Sequence, residues 1–195
     1  GVIILTAIFT SIFGGVNTLW DRRYGFMNKA LTSPISRSAI ALGKMSAISL
    51  IAALQASLII GIALAIGVTF PNPLMIIPIM GIVILFSLGF SGISVTLAAT
   101  AKSQETFWGM INLLGMPLFM LSPALFPLEL LPNWLAVIAK LNPVTYTVLL
   151  VRELMTGVSE GGVPILISIA VIFAFVIAMV AITSYVFTRE VNKPF

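Results

Sequence analysis

The sequence predicts an all-α integral membrane protein with five helical crossings, and three observations carry that prediction. Of its 195 residues, 59% are hydrophobic and 8% charged, against about 25% charged in a soluble domain. Mean hydropathy is +1.16. The few charges stand in clusters, leaving uncharged stretches long enough for the roughly 20 apolar residues a spanning helix needs. Strand-type alternation is absent, which argues against a β-barrel. So little charge could not cover a water-facing surface. A soluble enzyme, a nucleic-acid-binding domain and a disordered tail are excluded, and the lipid bilayer is the first partner.

The crossings follow from the charges and prolines. Residues 1–20 carry no charge and form the first. Residues 45–101 are also uncharged, but 57 residues are too many for one helix. Pro71-Asn72-Pro73 divides them, because Pro removes a donor and disfavours helix in the residue before it. Crossings at about 43–69 and 74–100 result. The fourth is expected at about 106–126, with Pro117 and Pro123 kinking or breaking its outer half. The fifth is expected at about 164–188, with Pro164 in a first-turn position.

Lys and Arg set the orientation. Arg22, Arg23, Lys29, Arg37 and Lys44 lie after the first crossing, Lys102 after the third, and Arg189 and Lys193 after the last. Only Lys140 and Arg152 fall on the other side, so eight of ten positive residues share one side. By the positive-inside rule that side is the cytoplasm. Gly1 is then outside, an awkward start for a chain that opens inside an apolar run with no signal-peptide n-region. A chain whose beginning is missing is expected, with one further helix upstream returning both ends to the cytoplasm.

Residues 128–157 lie outside but are not loop-like. The apolar run from Trp134 is too short to span, and Asn142-Pro143 reads as an N-cap and first-turn pair opening a helix that Gly157 stops. Glu129, Lys140, Arg152 and Glu153 punctuate the pair. A re-entrant hairpin dipping into the outer leaflet is expected. A pair lying at the interface, anchored by Trp134 and Tyr146, is the alternative.

The residue inventory excludes most chemistry. With no His and no Cys, zinc and haem sites, disulfides and Cys or His catalysis are all unavailable. Gly89-Phe90-Ser91-Gly92 has the Gly-x-Ser-Gly pattern of rhomboid proteases, but that mechanism needs a His. Gly43-Lys44 is followed by Met45, so there is no P-loop. No span has an ionised residue in its middle, which argues against a proton relay, a pump with its own relay or a voltage sensor. Anything the protein moves must be driven from elsewhere. Ser87/Ser91 and Gly92/Thr96, each four apart, read as helix packing. Asn17, Asn112, Met116 and Phe119 are the candidates for a substrate pathway, the methionine being soft enough for an amphipathic substrate.

The first cytoplasmic loop is the most informative stretch. Tyr24, Met27 and Leu31 share one helical face, with Phe26 beside it, while Arg22, Arg23 and Lys29 point elsewhere. Such an amphipathic helix over 21–33 could lie on anionic headgroups or insert into a groove on a partner.

This loop, DRRYGFMNKALTSPISRSAIALGK, resembles the first cytoplasmic loop of ABC transporter type-2 permeases, especially the daunorubicin-resistance-type drug exporters. GFSGISVTLAATAKSQETF (89–107), MPLFMLSPALFPLELLPNWL (116–135) and LNPVTYTVLLVRELMTG (141–157) match that family in the same order. One departure is Ser122, where many relatives have Gly. The resemblance implies the type-2 permease fold, with five of six expected spans present in a single transmembrane domain over 1–195. It also implies a non-enzymatic half-transporter in a prokaryotic plasma membrane, pairing with a second permease as a homo- or heterodimer. ATP and Mg would bind a separate cytoplasmic ATPase, not this chain. Residues 21–33 would be the coupling helix, with Arg22, Arg23, Tyr24, Phe26, Met27 and Leu31 as its contacts. The outer hairpin, with Trp134, Asn142, Pro143, Tyr146 and Arg152, would cap the pathway for a drug-like, lipid or glycan substrate. A non-transporting scaffold recruiting a cytoplasmic partner through the same loop is the alternative function.

Overall fold

A computed structural model describes residues 1–25, 34–68, 72–124, 132–158 and 162–190. Its helices are α1 (Val2–Arg23), α2 (Arg37–Ala65), α3 (Ile76–Thr100), α4 (Gln104–Met120), α5 (Asn133–Leu141), α6 (Pro143–Thr156) and α7 (Ile165–Glu190), with a 3-10 turn at Pro73–Met75 leading into α3. No strand occurs among the described residues.

Local sequence explains where the helices start. The Ser36 hydroxyl accepts from the Ala39 amide at 3.3 Å and opens α2. Asn72 accepts from the Leu74 amide at 3.0 Å ahead of Pro73. Ser103 accepts from the Thr106 amide at 3.1 Å, with Glu105 in the first turn of α4, where the helix dipole favours an acid. Gly157, at φ 72°, ends α6 in the left-handed conformation that only glycine adopts cheaply.

Four segments are long and apolar enough to cross a membrane: Val2–Arg23, Arg37–Ala65, Pro73–Thr100 and Ile165–Glu190. A fifth arises if α5 and α6, bent by 82° at Asn142, count as one broken span. The predicted crossing over 106–126 is shorter as a helix. Its 17 residues rise about 25 Å at 1.5 Å each, short of the roughly 30 Å hydrocarbon core. Pro117 starts the break, since it lacks an amide to bond back. Beyond it the Leu121 amide bonds to Pro117 at 3.0 Å, and both the amide (3.2 Å) and the hydroxyl (2.8 Å) of Ser122 bond to the Phe119 carbonyl. Ser122 thus helps hold the unwound end.

The centre of the bundle is α3, which packs against α1, α2 and α7. Gly89, Phe90, Ser91 and Gly92 are consecutive and all buried, so neighbours cover the helix on every side there. Lipid tails are as apolar as leucine, so helices in a bilayer associate through close packing and hydrogen bonds. Both are present. Ser94 donates to the Ser11 carbonyl of α1 at 2.6 Å, Ser49 of α2 donates to Ile84 at 2.6 Å, and Thr183 of α7 donates to Gly92 at 3.1 Å. Thr96 in turn donates to the Thr183 hydroxyl at 3.0 Å, and Ser91 reaches Met45 of α2 at 3.4 Å. The four-residue spacing of small residues therefore serves packing. In contrast α7 presents Leu166, Phe173, Ile177 and Tyr185 outward.

A Cβ on Gly15 would lie 2.6 Å from the Ser94 carbonyl oxygen, an encounter with backbone that cannot move aside. We expect Gly15→Leu to destabilise the bundle by about 3 kcal/mol or more, the upper end for overpacking. Gly61→Ala, where a Cβ meets nothing within 4 Å, should be neutral or stabilising. Thermal unfolding in detergent distinguishes them, and equal midpoints would contradict the assignment of α1 to α3.

Candidate functional site

At the end of the bundle expected to be cytoplasmic from its Lys and Arg content, charged side chains tie four helices together. The sequence places a separate helix from residue 21, yet Asp21, Arg22 and Arg23 form the last turn of α1. Nothing breaks the helix until Gly25, at φ 74°. Arg22 turns toward α3 and donates to the Ala98 carbonyl at 2.9 Å and the Ala99 carbonyl at 2.6 Å, with Ala101 at 3.5 Å. These are open carbonyls at the end of α3, whose own last turn carries no basic residue. A cation borrowed from α1 satisfies them and faces the negative end of the helix dipole. Asp21 forms an ion pair with Lys44 of α2, and Arg37 of α2 reaches the Thr188 carbonyl of α7 at 3.4 Å. Of the predicted docking residues, Arg23 and Tyr24 are exposed, Tyr24 at 69%. Phe26, Met27 and Leu31 lie outside the described residues.

Further out, α1 and α4 run antiparallel. Phe13 meets Trp108 at 5.6 Å between ring centroids, Ile12 packs on Gly115, and Phe9 meets Phe119 at 5.2 Å. The predicted pathway residues Asn112, Met116 and Phe119 line a narrow groove here with Phe9 and Phe13. On the other flank of the same two phenylalanines, Thr6, Thr10 and Asn17 face Gln55 of α2 across an open cleft of about 530 Å³. Thr10 hydrogen-bonds to Gln55 there. The structure thus brings all four predicted residues to one stripe of α1 and its two margins, with Asn17 and Asn112 both exposed. Sequence reasoning overlooked Thr6, Phe9, Thr10 and Phe13. Their spacing of three and four ahead of Asn17 was the available signal, a polar–aromatic stripe on an otherwise aliphatic span.

The outer bend is knitted by the residues the sequence singled out. Asn142 caps α6 by accepting from the Val144 amide at 3.0 Å, while its amide nitrogen donates to the Leu118 carbonyl at 2.6 Å, near the end of α4. Pro143 is the first residue of α6, where a missing amide costs nothing. The Tyr146 hydroxyl donates to Lys140 at 2.8 Å and Thr145 to Ala139 at 2.6 Å, both closing the turn. Arg152 donates to Pro123 at 3.2 Å. The Trp134 side chain lies outside the described residues. Val144, Val148 and Val151 are buried in the main core, so this face of α6 rests on protein.

Comparison with known proteins agrees with this architecture. The family model described as ABC-2 type transporter matches residues 1–156. A putative transport permease ycf38 from Cyanophora paradoxa is 30% identical over 79% of this chain and 53% of its own length. Its counterpart from Pyropia yezoensis is 31% identical over 82% of this chain and 55% of its own. A probable multidrug ABC transporter permease, YbhR, from Escherichia coli is 22% identical over 74% of this chain and 39% of its own. The chain spans about half the length of the first two of these relatives. It belongs to the ABC-2 type transporter family, and its long apolar helices make it a multi-pass membrane protein.

Arg22→Ala removes a charge-assisted donor from partly buried carbonyls, a loss of about 1.5–3 kcal/mol. We expect a lower unfolding temperature and faster hydrogen exchange in the last turn of α3. Arg22→Lys, which keeps the charge but not the fork, should fall between. Unchanged exchange in Arg22→Ala would show that the cap does not hold α3.

Proposed function

We propose that this ABC-2 family member is the membrane half of an ATP-driven exporter, moving an amphipathic drug-like, lipid or glycan substrate out of the cytoplasm. ATP and Mg bind a separate cytoplasmic ATPase subunit, which supplies the hydrolysis, and a second permease subunit completes the transporter. The observation that carries this reading is the tied cytoplasmic end. Helices α1, α2, α3 and α7 are joined there by Arg22, the Asp21–Lys44 pair and Arg37. The exposed Arg23 and Tyr24 lead directly from it into the segment holding Phe26, Met27 and Leu31. A push by the ATPase on that segment would be shared by the bundle instead of bending α1 alone.

The absence of ionised residues in mid-span fits an energy source outside the membrane. The stripe of α1 with Asn17, together with Asn112, Met116 and Phe119 of α4, supplies aromatic and methionine surface with a few amide groups, suited to a substrate with polar and apolar parts. The bent α5–α6 pair lies at the outer end of the same helix α4 through Asn142 and would gate exit. The Escherichia coli relative, named a multidrug permease, supports export. That relative and the nodulation protein J of Sinorhizobium fredii support a prokaryotic cell membrane.

Two variants test the docking. Phe26→Asp or Met27→Asp in the full-length protein should abolish co-purification of the ATPase subunit, with the unfolding midpoint of each variant separating lost docking from misfolding. Retained association in either variant would contradict docking through this segment, and wild-type partner binding with no ATP-dependent substrate movement would favour a scaffold over a transporter. Separately, Asn112→Leu should raise the substrate concentration for half-maximal ATPase stimulation by about ten-fold, the value of one lost hydrogen bond of about 1.4 kcal/mol. An unchanged dose response would remove Asn112 from the pathway.

A further inference from the structure

We propose that the cavity between the cytoplasmic ends of α1 and α4 binds the phosphate of an anionic phospholipid from the cytoplasmic leaflet. The cavity is about 490 Å³, lined by Leu19, Trp20, Arg22 and Arg23 of α1, Lys102, and residues 103–105 at the start of α4. This is ample for a phosphodiester with part of its glycerol. Three cations face it against one carboxylate, that of Glu105, which is hydrogen-bonded to Ser103 at 3.3 Å. Arg22 is held by the α3 carbonyls and lies within electrostatic reach of Glu190, so the charge offered to a ligand comes chiefly from Arg23 and Lys102. Asp21 is engaged by Lys44. Among the described residues, Arg23 and Lys102 form no ion pair, and the positive end of the α4 dipole adds to their field.

Position selects a lipid over a free anion. The uncharged stretch of α1 ends at Trp20, that of α3 at Ala101, and that of α4 begins at Thr106. The cavity therefore sits where three helices leave the hydrocarbon, on the side bearing most of the positive charge, where anionic headgroups concentrate. Trp20, 45% exposed, stands at its edge as an interfacial aromatic would. Toward the membrane centre the α1–α4 seam carries exposed Phe13 against Trp108 and, beyond that ring pair, the separate groove lined by Ile111. That seam offers an apolar track for an acyl chain directly beneath the phosphate. A soluble anion would use only the polar end, and an acidic protein surface could not use the apolar one. The site requires the membrane orientation but not ATPase docking.

The test is lipid retention by the full-length protein, purified without any ATPase from bilayers of equal phosphatidylglycerol and phosphatidylcholine, with bound lipids counted by native mass spectrometry. Wild-type protein should retain phosphatidylglycerol several-fold over phosphatidylcholine. Lys102→Gln should reduce that preference about five-fold, and adding Arg23→Gln about five-fold more, the usual effect of one basic residue on an anionic surface. Lys102→Arg should retain it, which separates loss of charge from misfolding. Lys140→Gln, at the opposite end, should change nothing. The proposal is overturned if wild type shows no preference or if Lys102→Gln behaves like Lys140→Gln. It is also overturned if millimolar inorganic phosphate strips the lipid completely, or if adding the ATPase subunit expels it.

Discussion

The structure depends on α3 being enclosed by protein inside a solvent that gives helices no hydrophobic reason to associate. Glycines at 15, 89 and 92 remove the side chains that would hold α1 and α7 away. The hydroxyls of Ser94, Ser49 and Thr183 then exchange bonds with main-chain carbonyls across the three contacts. Each such bond is worth only about 0.6 kcal/mol in a membrane, rarely above 1.7. Several act together on one helix, however, and each also fixes a register. Once α3 sets the rotation of α1, the opposite stripe of α1 must face outward. That stripe carries Thr6, Phe9, Thr10, Phe13 and Asn17.

The two ends of the bundle are then fastened by different means. At the end carrying most of the positive charge an ion pair joins Asp21 to Lys44, and arginines donate to the carbonyl ends of helices distant in sequence, Arg22 to α3 and Arg37 to α7. At the outer end the fasteners are hydrogen bonds to carbonyls that a broken helix leaves open. Helix α4 ends at Met120, three residues past Pro117, and Asn142 and Arg152 supply donors to Leu118 and Pro123. Irregular backbone at membrane depth requires such partners.

Much of this was legible in the sequence because it is written in local chemistry. The Pro71-Asn72-Pro73 break, the Asn142-Pro143 opening of α6 and the Gly157 stop each need only neighbouring residues: α3 opens just after the first, and α6 runs from the second to the third. The candidate pathway residues Asn17 and Asn112 stood out as polar groups in uncharged spans, and they lie on opposite margins of one α1 stripe, Asn17 toward α2 and Asn112 on α4. What could not be read was non-local. Nothing near Arg22 in sequence reveals that a helix ending at Thr100 needs its guanidinium, and hydropathy alone carries the fourth crossing past Pro117 into residues that form a turn. The continuation of α1 through Arg23 was hidden for a simpler reason. Charge marks where a span leaves the hydrocarbon, not where a helix stops.

The central claim is that the α1–α4 face lines a pathway opened and closed by ATP on a partner subunit. These 195 residues contain no Cys, so a cysteine introduced at Asn112 is a clean reporter in this part of the protein. Its rate of modification by a membrane-impermeant thiol reagent, added from outside to the assembled transporter in vesicles, is the measurement to make. The rate should differ by about ten-fold or more between the nucleotide-free and ATP-trapped states, while a cysteine at lipid-facing Leu166 stays equally slow in both. An Asn112 position whose accessibility is the same in both states would contradict the account.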